Sequence, residues 1–555
     1  MCGILVLWGI APLDRTRIDA CLAALAARGP DVTQVEYMPF GPDQELAIGF
    51  TRLHIQGAKA GAEQPFRLAD GRLVACNGEI FNSEILIETL GLRVPEGASD
   101  CAVIPALMEQ RGMDLPEVCR QLDGDFAIVV IDPAKATVSG SRDPYGVRPL
   151  FMGSGPGWHF MSSELKGVAP YEPTANVFEE VAPGEALRRA ADGSVSPSDR
   201  QQWHQVPWLK TPYWRSSLEG LTHAGMALRH ALEEAVAKRL TTVRAVGACL
   251  SGGLDSSLVA AIAARRLARK GQRLHTYSVG MAGSPDLEHA RLVAAHIGSI
   301  HHEKILTPEE CLAVIPTVVR AIESFDITTV RASVGNYFVG QLVATETPDV
   351  KVVLNGDGAD EVLGGYLYMR AAPDDAAFEG ETDRLLREIH RYDVLRSERS
   401  MAAHGLESRS PFLDRQFVSV ARGLPTEVLR PSAEKIEKAI LRTAFADAGL
   451  LPEKVLWRRK EAFSDGISRA ERSWFEMARE EGERRSGSES WKTRAATYEV
   501  NPPPTAEALW YRELFHENFP GASASVIAPA MWMPRFVKGA TDPSARTLAL
   551  YTQNA

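Results

Sequence analysis

The chain has 555 residues, 45% of them hydrophobic and 24% charged, with a formal net charge of −10. That length exceeds what one core organises, so two or more domains are expected, and the composition excludes a disordered or collagen-like chain. Lys+Arg 61 against Asp+Glu 71 offers no whole-chain attraction to nucleic acid or to an anionic membrane.

Seven cysteines (2, 21, 76, 101, 119, 249 and 311) are scattered without a CxxC pair. Neither a disulfide scaffold nor a zinc ribbon is supported, and reduced thiols in the cytoplasm are expected. The apolar start Met1–Ile10 lacks preceding basic residues and a following cleavage site, so a secreted chain is not expected. No stretch approaches the roughly 20 apolar residues of a membrane span.

In chain order, the first part reads as short strands with turns between them. Leu46–Phe50, Leu73–Cys76, Phe126–Ile131 and His159–Ser163 are strand-like, while Arg17–Ala27 and Asp100–Gln110 are helical patches. This predicts a layered α+β domain over 1–190. A polar, Trp/Pro-containing connection is expected over 191–220. A helix follows, with Leu228, Leu232, Val236 and Leu240 recurring every four residues. Strands over 243–250, 274–279 and 350–354 then alternate with helices, the order of a parallel sheet with crossovers. Beyond about residue 385 the pattern is mainly helical. The second domain is placed at 221–540 with a tail at 541–555, and 494–506 and 538–555 are expected to be loose.

Two constellations carry chemistry. Once Met1 is removed, Cys2 would place a free α-amine beside its own thiol. With a pKa near ~8, that amine can act as a general base within the same residue. Arg28-Gly29-Pro30-Asp31, Arg52-Leu53-His54-Ile55, Asn77-Gly78-Glu79 and Ser99-Asp100 stand at the ends of predicted strands. Acyl transfer from glutamine needs this inventory: a guanidinium, carboxylates and amide donors for an oxyanion. Each alone reads as turn chemistry. Together they resemble the class II, N-terminal-nucleophile glutamine amidotransferases. The resemblance implies that Cys2 attacks the glutamine amide and that Arg52 holds the α-carboxylate. Asp100 and Glu79 would hold the amine, Asn77 and Gly78 would form the oxyanion hole, and Leu53, His54 and Ile55 would complete the glutamine site.

The second constellation, Ser251-Gly252-Gly253-Leu254-Asp255-Ser256-Ser257, follows an apolar strand and opens a helix. Glycine N–H groups, hydroxyls and a helix N-terminus form a phosphate cradle, and Asp255 calls for Mg²⁺ between itself and phosphate. The Gly-Lys-[Ser/Thr] ending of a Walker loop is missing. A second acidic, glycine-rich segment, Leu354-Asn355-Gly356-Asp357-Gly358-Ala359-Asp360-Glu361, also follows an apolar strand and belongs at the same sheet edge. This resembles the pyrophosphate loop of ATP pyrophosphatases.

Over nearly its whole length the chain resembles the glutamine-hydrolysing asparagine synthetases. The likeness extends through Ser278–Asp286, Phe325–Ser333, Glu407–Asp414 and Trp457–Gly466. It implies an N-terminal-nucleophile sandwich of two antiparallel sheets flanked by helices. An α/β parallel-sheet ATP pyrophosphatase domain would follow, with a mainly helical C-terminal part. Glutamine, aspartate and ATP are the implied substrates, with Mg²⁺ and a homodimer, and with no nucleic acid or membrane partner. Leu250, Val279, Asn355 and Gly356 would contact ATP, while Ser251, Gly252, Gly253, Asp255, Ser256 and Ser257 would hold its pyrophosphate. Asp255 and Asp360 would hold the metal, Lys460 would offset charge on the phosphates, and Thr329 and Arg331 would lie near aspartate and pyrophosphate. Ammonia would travel from Cys2 through a dry passage. The resemblance makes Asp357 a catalytic residue, at the position that forms or consumes β-aspartyl-AMP; many relatives carry Glu there, so the charge is one methylene shorter, and Asn355 stands where Ser is common. Relatives that amidate other carboxylates share this architecture, and lactam-forming ones tend to lose the cysteine retained here.

Overall fold

Strand β1 (Gly3–Ile10) is an unbroken apolar run, buried from Gly3 to Gly9, and it forms the middle of a sheet. The computed structural model describes residues 1–57, 63–172, 177–206, 218–432, 434–459, 468, 473–487, 490–537 and 542–544. The remaining strands of this first unit are β2 (Val32–Pro39), β3 (Gln44–Arg52), β4 (Phe66–Arg67), β5 (Leu73–Ile80), β6 (Gly124–Asp132), β7 (Thr137–Arg142), β8 (Phe151–Gly155), β9 (Trp158–Ser162), β10 (Val177–Glu180), β11 (Glu185–Ala190) and β12 (Arg200–Gln202). They make two six-stranded sheets, ordered β10-β8-β9-β1-β3-β2 and β12-β11-β7-β6-β5-β4, with antiparallel pairing throughout.

The two-residue period of a strand sorts the side chains into layers. Ile4, Val6, Trp8, Ile48 and Phe50 from the first sheet meet Leu73, Ala75, Ala127, Val129 and Ile131 from the second. The alternate residues Val74, Cys76, Phe126, Ile128 and Val130 face the other way and pack with helical residues. Those residues come from α2 (Ser83–Leu90), α3 (Val103–Arg111) and α4 (Leu115–Gln121) and include Leu86, Ile104, Leu107 and Val118. On the first sheet lies α1 (Arg15–Leu25), burying Ile18, Cys21, Leu22 and Leu25. A side chain at Gly49 of β3 would meet Leu22 Cδ2 at 2.3 Å, so the glycine leaves room for Leu22 of the helix to pack directly on the strand. The expected α+β sandwich is therefore present.

The first unit comprises Met1–Gln205 together with Ala402–Leu406 and Phe515–Pro529. It extends past the boundary expected at 190. β12 pairs with β11, and Trp203 stacks on Phe126 with ring centroids 5.9 Å apart. Residues 191–205, expected within a connection, belong to this unit because that stacking buries an aromatic.

In the second unit, a five-stranded sheet is ordered β15-β14-β13-β16-β17, with every pairing parallel. Its strands are β13 (Ala245–Cys249), β14 (His275–Met281), β15 (Ile300–Leu306), β16 (Val350–Leu354) and β17 (Glu407–Arg409). Helix α5 (Leu218–Lys238) precedes the sheet, and α6 (Leu254–Ala268), α7 (Pro285–Ile297), α8 (Pro308–Ile322) and α9 (Ile327–Glu346) make the crossovers. Short β17 lies in the region expected to be helical; three residues carrying Glu407 and Arg409 show no strand pattern. The chain leaves β13 for β14 on one side, while β16 lies on the other. That reversal opens a crevice beyond the carboxyl ends of β13 and β16. Among the described residues, no helix is long and apolar enough to cross a membrane.

Candidate functional site

In the first unit, Cys2 immediately precedes β1, and its backbone N–H donates to Asn77 Oδ1 at 2.8 Å. Asn77 lies on β5 and is fully buried; its Nδ2 has no acceptor among the described residues. An amide donor held unspent beside a cysteine is the arrangement an oxyanion hole requires. Gly78 follows, and a side chain there would come within 2.2 Å of Asp125 O and 2.6 Å of Phe126 Cα on β6.

Arg28 fixes the cysteine from behind. Its Nε donates to Cys2 O at 2.9 Å and its Nη1 to Glu164 Oε1 at 2.7 Å, while Lys166 Nζ lies 2.7 Å from Glu164 Oε2. Burial of this network makes its geometry rigid. The turn after Arg28 presses onto the end of β3: a side chain on Gly29 would clash with Thr51 and Arg52 backbone. Asp31 Oδ2 accepts from His54 N at 2.7 Å, Asp31 N donates to Arg52 O at 3.0 Å, and Arg52 Nη2 donates to Gln56 O at 3.3 Å. Asp100 Oδ2 accepts from Ile80 N at 2.5 Å, next to buried Glu79. The structure thus joins Cys2 to Asn77, Arg52 and His54 to Asp31, and Asp100 to the strand carrying Gly78 and Glu79. Leu53 and Ile55 are buried apolar side chains. Glu164 and Lys166 went unrecognised in the sequence, because nothing local marks a partner 136 residues from Arg28.

In the second unit, the crevice holds a cavity of about 230 Å³. Leu250, Ser251, Gly253, Asp255, Ser256, Val279, Thr329, Arg331, Asn355, Gly356, Asp357 and Asp360 line it; Gly252 and Ser257 do not. Gly252 has φ +74°, and a Cβ there would meet Ala290 N at 2.5 Å. Ser251 Oγ and Ser256 Oγ lie 3.0 Å apart, and Gly253 is the N-cap of α6. A Cβ on Gly356 would meet Ser256 N at 2.7 Å, so the two glycine-rich segments are in direct contact.

Asn355 turns its side chain away from the cavity chemistry: Nδ2 donates to Ser408 Oγ at 2.7 Å and Oδ1 accepts from Ser410 Oγ at 2.9 Å. Asp357 Oδ1 pairs with Arg396 Nη2 at 3.1 Å, and Arg396 also pairs with Asp393 at 2.7 Å. Tyr366 OH donates to Glu361 Oε1 at 2.5 Å. Burial, with Asp393 and Asp360 nearby, raises the Glu361 pKa well above the usual carboxylate range. Glu361, Tyr366, Asp393, Arg396 and Lys438 all line the cavity. Lys438 stands between the expected metal ligands, with Nζ 2.5 Å from Asp255 Oδ2 and 2.6 Å from Asp360 Oδ1.

The donors suit magnesium in kind. Two carboxylate oxygens are hard ligands, and among the described residues no group of three or more His, Cys, Asp or Glu is placed to hold a metal ion. Mg²⁺ is bound in this way, through one or two carboxylates plus phosphate and water, rather than by an all-protein cage.

Thr329 Oγ1 donates to Asp326 Oδ1 at 2.8 Å, and Asp326 N-caps α9. Arg331 is gripped by two carboxylates: Nε and Nη2 donate to Glu507 at 2.8 and 2.6 Å, and Nη1 and Nη2 donate to Asp542 at 2.9 Å. Asp542 lies in the expected tail, so that stretch contributes to the cavity wall; Pro543 and Ser544 line it. Lys460 lies outside the described residues. Just before it, Arg458 donates to Gly252 O at 3.1 Å and to Asp286 Oδ1 at 2.7 Å.

Comparison with known proteins defines the class first. Residues 1–219 match the family model described as glutamine amidotransferase domain, and residues 227–379 and 371–534 match that described as asparagine synthase. Proteins named asparagine synthetase [glutamine-hydrolyzing] align end to end. The one from Gallus gallus is 39% identical over 571 residues, covering 99% of both chains. Those from Cricetulus griseus and Homo sapiens are 38% identical, covering 100% and 99% of both chains respectively. The chain belongs to the asparagine synthase family. A solved structure of the allosteric regulatory enzyme of purine biosynthesis matches 55% of this chain and 80% of its own, at 16% identity and a TM-score of 0.33, too slight a likeness to carry weight.

Proposed function

We propose that this protein makes L-asparagine from L-aspartate, L-glutamine and ATP, releasing L-glutamate, AMP and pyrophosphate through β-aspartyl-AMP. The observation that carries the glutamine half is the Asn77 carboxamide, bonded to Cys2 through Oδ1 with Nδ2 unspent beside it. After removal of Met1, the Cys2 amine takes the thiol proton and the sulfur attacks the glutamine amide carbon. Asn77 Nδ2 and the Gly78 N–H receive the oxyanion. The Cys2 amine returns that proton to the leaving nitrogen, which departs as ammonia, and water cleaves the thioester to glutamate. Arg52 takes the substrate carboxylate, and Glu79 and Asp100 take its ammonium.

In the synthetase half, the Ser251–Ser257 cradle and Gly356 seat ATP, with Leu250 and Val279 against adenine. A β-carboxylate oxygen of aspartate attacks the α-phosphorus and pyrophosphate leaves. Ammonia then attacks the activated carbonyl, AMP departs, and the surplus ammonia proton is lost. Asp255 and Asp360 would hold Mg²⁺, which when bound supplies positive charge against the leaving pyrophosphate. Lys460 adds charge there as a compact ammonium. Thr329, Arg331 and Asp357 shape the aspartate side. A cytoplasmic homodimer, binding neither nucleic acid nor membrane, completes the proposal.

Asp255→Ala tests the division of labour. Aspartate-dependent pyrophosphate release should vanish while glutamine hydrolysis persists; loss of both, or of neither, contradicts the assignment.

A further inference from the structure

We propose that Lys438 is a positioning residue that makes metal and nucleotide enter the synthetase site as a unit. Its ammonium holds the two metal-binding carboxylates until the metal–nucleotide pair arrives, then transfers to a phosphate oxygen. This rests on the reading of the synthetase site given above.

The three charged groups come from three separate segments. Asp255 is in the first turn of α6, and Asp360 is in the first turn of a short helix, α10 (Ala359–Leu363). Lys438 precedes the helix Ala439–Phe445 and lies 183 residues from Asp255. Its side chain is 1% exposed, against 12% and 11% for the two aspartates. A buried lysine placed between carboxylates is held by charge as much as by packing.

Its backbone is in the left-handed region, at φ +54°. That conformation is costly for a residue with a Cβ and persists only where the surroundings enforce it. Here they do: Arg442 Nε donates to Glu437 O at 2.9 Å and its Nη2 to Glu437 Oε1 at 2.6 Å, while Arg442 N donates to Lys438 O at 3.0 Å. The opposing wall makes room as well. A Cβ on Gly365 would come within 2.2 Å of both Asp360 Oδ1 and Lys438 Cε. The Gly364-Gly365-Tyr366 turn is open at 365 because the lysine and Asp360 meet there.

Charge explains the consequence. One ammonium against two carboxylates leaves a net single negative charge. A divalent ion entering alone must displace the ammonium from Asp255 and Asp360, its two ion-pair partners among the described residues, and then lie beside it. A divalent ion entering with a nucleotide brings phosphate oxygens, which give the ammonium a new partner. The unbranched lysine stem allows that pivot, and its point charge suits a phosphate. Metal without nucleotide is therefore disfavoured, and the pair is favoured.

The experiment uses the full chain and Mn²⁺ as a paramagnetic probe, with free metal read by electron paramagnetic resonance, with and without α,β-methylene-ATP. Wild type should bind Mn²⁺ at this site weakly alone and much more tightly with the analogue. Lys438→Met should bind Mn²⁺ alone about tenfold or more tightly than wild type, since the competing cation is gone. Binding of the Mn²⁺–analogue pair should weaken. The gain should disappear in Lys438→Met combined with Asp360→Asn, because the gained metal would lose one of its two carboxylates, which ties the gain to this site. If the Met variant does not fold, Lys438→Gln gives the same reading. Equal nucleotide-free affinity in wild type and variant, with analogue-dependent uptake intact, overturns this inference alone. No Mn²⁺ uptake even with the analogue overturns the site reading and this inference with it.

Discussion

A single methyl group at position 356 should separate the two chemistries of this chain. The Cβ of Gly356→Ala would lie 2.7 Å from Ser256 N, 2.9 Å from Asp255 C and 3.0 Å from Asp255 Cβ. Ordinary contacts of this kind begin near 3.4 Å, and two of these three neighbours are backbone atoms that cannot swing aside. The segment after β16 must therefore move from the Ser251–Ser257 segment by about 0.5–1 Å, at an overpacking cost of about 1–3 kcal/mol. Misplacing a reacting group by about 1 Å costs on the order of 10²-fold in rate. We expect aspartate-dependent pyrophosphate release to fall by about that factor, measured as kcat/KM for ATP, while glutamine hydrolysis without ATP is unchanged. Pyrophosphate release at the wild-type rate would refute the claim that these two segments jointly seat the nucleotide.

Three further outcomes follow from the same geometry. Cys2→Ala should abolish glutamine-dependent synthesis and leave ammonia-dependent synthesis; loss of both in a product assay contradicts the assignment. Glu507→Gln removes half of the carboxylate grip on buried Arg331 and should destabilise the second unit by about 3 kcal/mol, read by denaturant melting; a change below experimental scatter would show the pair to be dispensable. Burial beside Asp125 raises the Asp143 pKa to about 6, so the fold favours the protonated form. Its stabilising contribution is full below the ordinary value near ~4 and is lost as pH rises through about 6, a swing on the order of 2–3 kcal/mol. Wild type should gain stability relative to Asp143→Asn as pH falls from 7.5 to 4.5 in thermal melts; a flat difference contradicts this.

What was legible in the sequence was chemistry written locally. The Ser251–Ser257 and Leu354–Glu361 segments follow apolar strands, so the sheet edge they share could be read from pattern alone. Cys2 and Asn77 could be proposed together because each carries an acyl-transfer function. What was not legible depends on distant segments meeting. Lys438 falls in no recognisable motif and acquires meaning only between Asp255 and Asp360. Arg331 was visible as a candidate, but its ties to Glu507 and Asp542 were not, and Asp542 lay in a stretch read as a loose tail. β17 was hidden because three residues with two charges show no two-residue period.

The central claim is that ammonia released at Cys2 is joined to an aspartate activated by ATP cleavage between the α- and β-phosphates. Its most direct test takes tag-free protein with a mass-verified Cys2 terminus, incubated with Mg-ATP, aspartate and amide-¹⁵N-glutamine. Mass spectrometry should find ¹⁵N-asparagine together with AMP and pyrophosphate in equal amount. Labelled ammonia and glutamate without asparagine would contradict the claim, leaving a glutaminase whose carboxylate acceptor is not aspartate.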